Sequence, residues 1–176
     1  MNYERFYPAM SAEYLHGAAV DEAFHVLERC GRAGVFLYDV EEPSPAAWRR
    51  AVADAWLMEL RDGGERAAYG IINGWTGRAA FVHFCVLPRF DACFTDLARD
   101  WLSWLFSLDL FDALLGATPR CYRHVLARLP AIGFVRRLVV PGAAYLAKYK
   151  KYTDTVVTMC TPQSFKEATR AAQDLH

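Results

Sequence analysis

At 176 residues the chain has the length of one average domain, and its 54% apolar and 14% aromatic content can fill a core, which excludes disorder over most of its length. Twenty Lys and Arg balance twenty Asp and Glu for a net charge of +0, so no charge excess favours nucleic acid or an anionic membrane as a partner. The five cysteines (Cys30, Cys85, Cys93, Cys121 and Cys160) are odd in number and form no Cys-x-x-Cys, which speaks against a disulfide framework or zinc site and for reduced thiols in the cytoplasm. Glu4, Arg5 and Glu13 interrupt any N-terminal apolar run, and Asp109 and Asp112 break the apolar stretch 101–117, so neither a signal peptide nor a bilayer span is expected.

In chain order, Val20, Ala23, Phe24 and Leu27 recur at helical spacing over 20–30, and Gly31 and Gly34 end that helix. Residues 35–40 (VFLYDV) are β-branched and aromatic and predict a strand. Ser44 caps a second helix that opens on Pro45 and runs to about Asp54. A meander follows: strands over 56–61, 67–73 and 79–87, separated by Asp62-Gly63-Gly64 and Gly74-Trp75-Thr76-Gly77. Pro88 stops the third strand and Asp91 caps the next helix, whose apolar face is Phe94, Leu97, Ala98, Trp101, Leu102 and Leu105. The short apolar run 113–117 predicts a buried, parallel strand. A helix over 120–129, a strand over 135–140, a turn at Pro141-Gly142, a strand over 155–160 and a helix capped by Thr161 complete the pattern. With no repeat and no linker, residues 1–176 are expected to form a single α/β domain, an antiparallel meander plus a parallel crossover flanked by helices.

This order, the strand Phe81-Val82-His83-Phe84-Cys85-Val86-Leu87-Pro88 with its following helix, and the strand Leu114-Leu115-Gly116-Ala117 leading through a helix to Gly133-Phe134, resemble the Gcn5-related N-acetyltransferase (GNAT) superfamily over roughly residues 35–160. The resemblance implies a mixed sheet whose fourth and fifth strands splay to hold the pantetheine arm of acetyl-CoA, with Cys85, Val86 and Leu87 lining the splay. It also implies a pyrophosphate seat at the next helix N-terminus, at Arg89, Cys93 and Phe94. The family's glycine-rich loop is absent there. The chain has Asp91, Phe94 and Asp96 instead, two carboxylates and a bulky ring, with Arg89 as a compensating charge.

For catalysis, His83 is the candidate base and Tyr122 the candidate acid, although the family's tyrosine position falls at Leu129 or Arg128. His83 and Cys85 share a strand face, which permits an imidazole–thiol pair; a hydrogen-bonded histidine beside a buried thiol is the commoner arrangement. Cys121 and His124 lie three apart but lack further ligands, so no metal is expected. The stretch 145–152, rich in Tyr and Lys, matches a solvated strand edge better than a nucleic-acid surface. The implied function is acyl transfer from acyl-CoA to a small-molecule or protein amine, with no metal cofactor. A catalytically inactive GNAT-like binding or assembly protein, of the kind found in phage and prophage gene sets, is the alternative. Trp101, Trp104 and Phe106 offer a homodimer face, unless Tyr3, Phe6 and Tyr7 cover them.

Overall fold

The computed structural model describes residues 10–174. A seven-stranded sheet carries helices on both faces, in the strand order β1-β2-β3-β4-β5-β7-β6. The first strand, β1 (Met10–Tyr14), pairs antiparallel with β2 (Trp56–Asp62) and occupies that edge of the sheet. Between them run α1 (Ala18–Arg29), the short α2 (Ala33–Phe36) and α3 (Pro45–Val52). Ser44 Oγ accepts from Ala47 N–H and Pro45 opens α3, as the sequence predicts.

The expected strand over 35–40 does not form. Val35 and Phe36 finish α2, and Leu37 sinks between the helices and the sheet. The run's apolar side chains are buried in the helical layer instead: Leu37 packs in one cluster with Phe24 and Trp48, and the Phe36 ring lies 5.7 Å from that of Trp48.

The meander is present as β2, β3 (Glu65–Thr76) and β4 (Ala79–Val86), all antiparallel. A bulge interrupts the β3–β4 ladder just past Asn73, where Gly74 adopts φ +58. Pro88 ends β4, but residues 88–93 form a 3₁₀ turn before α4 (Phe94–Ser107) starts. Asp91 therefore caps nothing; its carboxylate lies 2.6 Å from Arg32 Nη2.

β5 (Ala113–Pro119) is the parallel strand expected beside β4. The predicted helix over 120–129 shrinks at both ends: Arg120 N–H still donates to Asp154 O at 2.8 Å, so α5 (Arg123–Arg128) starts late, and a 3₁₀ turn follows at 129–132, where Pro130 cannot donate to an α-helical ladder. β6 (Val135–Leu146) passes through Pro141-Gly142 with a register shift and turns only at 147–149 into β7 (Lys151–Cys160). The Lys- and Tyr-rich stretch is thus the tip of the β6–β7 hairpin. The capping box of Thr161 and Ser164 starts α6 (Pro162–Gln173).

Strand alternation splits the core in two. Val86, Ala80 and Leu114 face α4 and α6 with Trp101, Leu105 and Phe165; Cys85, Leu87, Ile71 and Tyr69 face α1–α3 with Phe24, Leu27 and Trp48. This packing takes up part of the expected dimer face, leaving Trp104 and Phe106 half-buried. Trp101 is fully buried and stacked on Phe84, Trp104 meets Tyr14 of β1, and Phe106 meets Phe165 of α6. Tyr3, Phe6 and Tyr7 lie outside the described residues. No helix among the described residues is long and apolar enough to cross a membrane.

Candidate active site

β4 and β5 pair only at Ala79–Ala113, Ala80–Leu114 and Phe81–Leu115. Beyond Phe81 each strand keeps its outer partner: β4 stays on β3 as far as Val86, and β5 stays on β7 as far as Pro119. Their inner edges are left without each other. Leu87 N–H donates to Ala67 O at 2.8 Å, which fixes the phase of the β3–β4 ladder. Odd-numbered β4 residues therefore turn their peptide groups to β3, while Phe84 and Val86 turn theirs to the open side.

A cavity of about 130 Å³ lies in this gap, with a mostly apolar lining that passes from one face of the sheet to the other. Val82, His83 and Phe84 supply the β4 wall, and Gly116 to Pro119 the β5 wall. Phe94 and Trp101 of α4, Tyr122 and Val125 at α5, and Phe36 and Tyr38 after α2 close its ends. The cavity lies three residues earlier along β4 than expected: the β4 side chains lining it are Val82–Phe84 rather than Cys85, Val86 and Leu87. The side chains of Cys85 and Leu87 pack among α1–α3, and that of Val86 packs under α4.

His83 is largely enclosed and, among the described residues, has one side-chain partner, Asn73, whose Oδ1 sits 3.2 Å from Nε2. The two residues are diagonal neighbours across β3 and β4 on one face of the sheet. A carbonyl oxygen only accepts, so Nε2 carries the proton and Nδ1 keeps the lone pair. Burial pushes the imidazole pKa below its ordinary value, so the ring is neutral at pH 7. Cys85 takes no part in this pair: its Sγ approaches Val86 O at 3.8 Å, and burial raises the thiol to about 12. A protonated, enclosed thiol is no nucleophile.

Tyr122 stands at the N-cap position of α5 and is half-buried in the cavity wall. Its ring meets Tyr38 edge to face at 6.5 Å between centroids. Burial, followed by the nearby Cys121, Tyr149 and Tyr38, raises its pKa, so the hydroxyl holds its proton at neutral pH. Ala147 N–H donates to Tyr38 O at 2.9 Å and ties the β6–β7 tip to this rim.

At the other end, Arg89 is exposed and pairs with Glu65, and Cys93 is half-buried at the N-cap of α4. The Phe94 ring fills the wall against Phe84, with the Arg128 guanidinium 5.3 Å above it. Both expected carboxylate obstacles have cationic neighbours, Asp91 at Arg32 and Asp96 at Arg99. The donor set therefore suits an extended amide-containing arm along Phe84 and Val86, and Arg128 places a cation at the start of α4 for an anion. Among the described residues no three His, Cys, Asp or Glu side chains gather as metal ligands.

Asn73 and Tyr38 escaped the sequence reading. The Asn73-Gly74 pair was legible only as a turn signal, and Tyr38 lay inside the run expected to be a strand.

No protein-family model matches the chain, and no curated protein matches it in sequence. Solved structures do match in shape. A RimL ribosomal L7/L12 alpha-N-protein acetyltransferase in complex with coenzyme A superposes with a TM-score of 0.71 at 11% identity, covering 89% of this chain and 96% of that one. An acetyltransferase from Salmonella typhimurium that modifies the N-terminal serine of ribosomal protein L7/L12 gives 0.71 at 10% identity, over 88% and 95% of the two chains. A mutant of the spermidine N-acetyltransferase SpeG from Vibrio cholerae gives 0.69 at 10% identity, over 89% and 96%. The chain has the GNAT, or acyl-CoA N-acyltransferase, fold.

Proposed function

We propose that this protein is an N-acyltransferase that moves an acetyl or other acyl group from acyl-CoA to an amine. The observation that carries the reading is the gap between β4 and β5, where unpaired peptide groups of Phe84 and Val86 border an apolar cavity with His83 and Tyr122 in its wall. Similarly folded enzymes acetylate a ribosomal protein N-terminus and spermidine, which supports a protein or small-molecule amine as the acceptor class.

Acyl-CoA, when bound, supplies a thioester whose carbonyl carbon accepts the amine. In this reading the backbone of Phe84 and Val86 receives the pantetheine amides as an added strand would, with Cys85 and Leu87 anchoring β4 from behind. The N–H groups at Cys93 and Phe94, together with Arg128, meet the phosphates; Arg89, drawn to Glu65, contributes at most from the rim. His83 Nδ1 takes the proton that the acceptor ammonium must lose before its lone pair can attack. The N–H of Val86 or Phe84 is available to the carbonyl oxygen as negative charge develops there. Tyr122 gives its hydroxyl proton to the departing thiolate and regains one from the acylated nitrogen, which must lose its second proton to become an amide, while the proton held by His83 passes to solvent. The whole chain, 1–176, acts as one domain in the cytoplasm.

A loop without glycines favours the second reading, a non-catalytic binding module. Calorimetric titration with acetyl-CoA, free CoA and pantetheine separates the two. Binding near ~1–10 µM that weakens without the phosphates supports the transferase. Silence at millimolar ligand overturns it. An amine screen with acetyl-CoA, repeated on His83→Ala, then tests turnover.

A further inference from the structure

A second cavity opens on the far side of α5, with a volume of about 570 Å³. Arg120, Arg123 and Arg136 stand around it, and Leu126, Phe134 and Val156 give it an apolar lining. α5 is only six residues long, and Arg136 of β6 and Val156 and Thr158 of β7 line the groove beside it.

Charge is concentrated there in a chain with none to spare overall. Arg120 is held by Asp154 at 2.9 Å, but Arg123 and Arg136 have no ion pair with any described residue. Guanidinium groups beside an apolar floor suit a planar oxyanion on an apolar body: the fork meets two oxygens at once, and its weak hydration lowers the desolvation cost. The volume lies within the range of about 300–1,000 Å³ typical of small-molecule sites.

The groove is separate from the acyl-donor cleft. Successive α5 residues face opposite ways, Val125 into the cleft and Leu126 into the groove. Leu129 and Phe134 form a wall common to both.

We propose that this groove is a binding site for a small organic anion, a phosphate or carboxylate on an apolar body, with Arg123 and Arg136 meeting the charge and Leu126, Phe134 and Val156 receiving the body.

The test is an amide NMR titration of the full chain with inorganic phosphate, phenyl phosphate and benzoate, followed by the same series on Arg123→Ala and Arg136→Ala. Phenyl phosphate or benzoate binding about 10-fold tighter than inorganic phosphate, with a loss of about 10-fold in each variant, is expected. Phenyl phosphate and benzoate, compared with each other, assign the head group. An unchanged melting temperature shows that the variants remain folded, and CoA affinity within about twofold of wild type in Arg136→Ala keeps this site distinct from the cleft. Binding indifferent to both arginines, no gain from the apolar body, or no shifts at about 10 mM probe overturns the proposal. Apart from the CoA comparison, none of these outcomes depends on whether the chain binds acyl-CoA or transfers acyl groups.

Discussion

Asn73 Oδ1 and His83 Nε2 lie 3.2 Å apart across adjacent strands, and this contact sets the chemistry of the one histidine among the described residues of the cavity wall. It consumes one ring nitrogen as a donor and leaves the other basic. The β3 bulge at Gly74 follows directly on Asn73, so a backbone irregularity lies beside the residue that orients the ring.

If His83 is the base, its removal costs activity steeply: His83→Ala lowers kcat by about 10²–10⁴-fold. The direction of the pKa shift places the acid limb of the wild-type pH–rate profile below pH 6.5, since burial disfavours the charged ring. Asn73→Asp sets a carboxylate beside the imidazole and moves that limb upward by about 1 pH unit. A pH–rate series on the three proteins checks both statements, and an unmoved limb in Asn73→Asp would take His83 out of the base role.

Tyr122→Phe removes one oxygen from the cavity wall and keeps the ring against Tyr38. As the proton donor to the thiolate, its loss lowers kcat by about 10-fold while CoA affinity stays within about twofold. Steady-state kinetics and a binding titration separate these terms. Equal loss in both would mark a packing residue.

Trp101 lies flat against the backbone of β3 at Gly70, where a Cβ would come within 2.8 Å of the indole Cε2. Gly70→Ala forces the largest buried ring of α4 away from the sheet and costs about 1–3 kcal/mol, a fall in Tm of roughly 3–10 °C. Because α4 also carries Phe94 and Trp101 into the cavity, CoA binding weakens in parallel. Thermal melts and a CoA titration on the one variant read both effects.

Asp100, half-buried on α4, has its pKa raised to about 6 by burial and by the nearby Asp96 and Asp62. A carboxyl raised in the fold binds its proton more tightly folded than unfolded, so its contribution to stability falls as pH rises from about 4 to about 6. Asp100→Asn removes the penalty and raises Tm at pH 7 by about 2 °C, with no gain near pH 4. Melting curves at the two pH values give the test; a gain of equal size at both would assign the effect to something other than titration.

Periodicity alone located most of the elements. The apolar face of α4, the caps Ser44 and Thr161, the meander and the parallel β5 were legible because each depends on neighbours within a turn or a hairpin. His83 and Tyr122 were legible as candidates for the same reason: a polar group in an apolar strand, and a tyrosine just past a buried one.

Tertiary contacts decided the rest. Residues 35–40 have strand composition, but packing against α1 and α3 holds them in the layer that covers the cleft. The Pro141-Gly142 turn signal yielded to β7, whose pairing carries β6 past it to residue 146. The point where β4 and β5 part follows from their outer partners and from what packs between them, not from either strand's own residues, and so the lining fell at Val82–Phe84. Asn73 against His83, Arg32 against Asp91 and Arg128 above Phe94 join positions 10 to 59 residues apart. Local propensity determined which segments became helix or strand; long-range packing chose the partners, and with them the chemistry of the site.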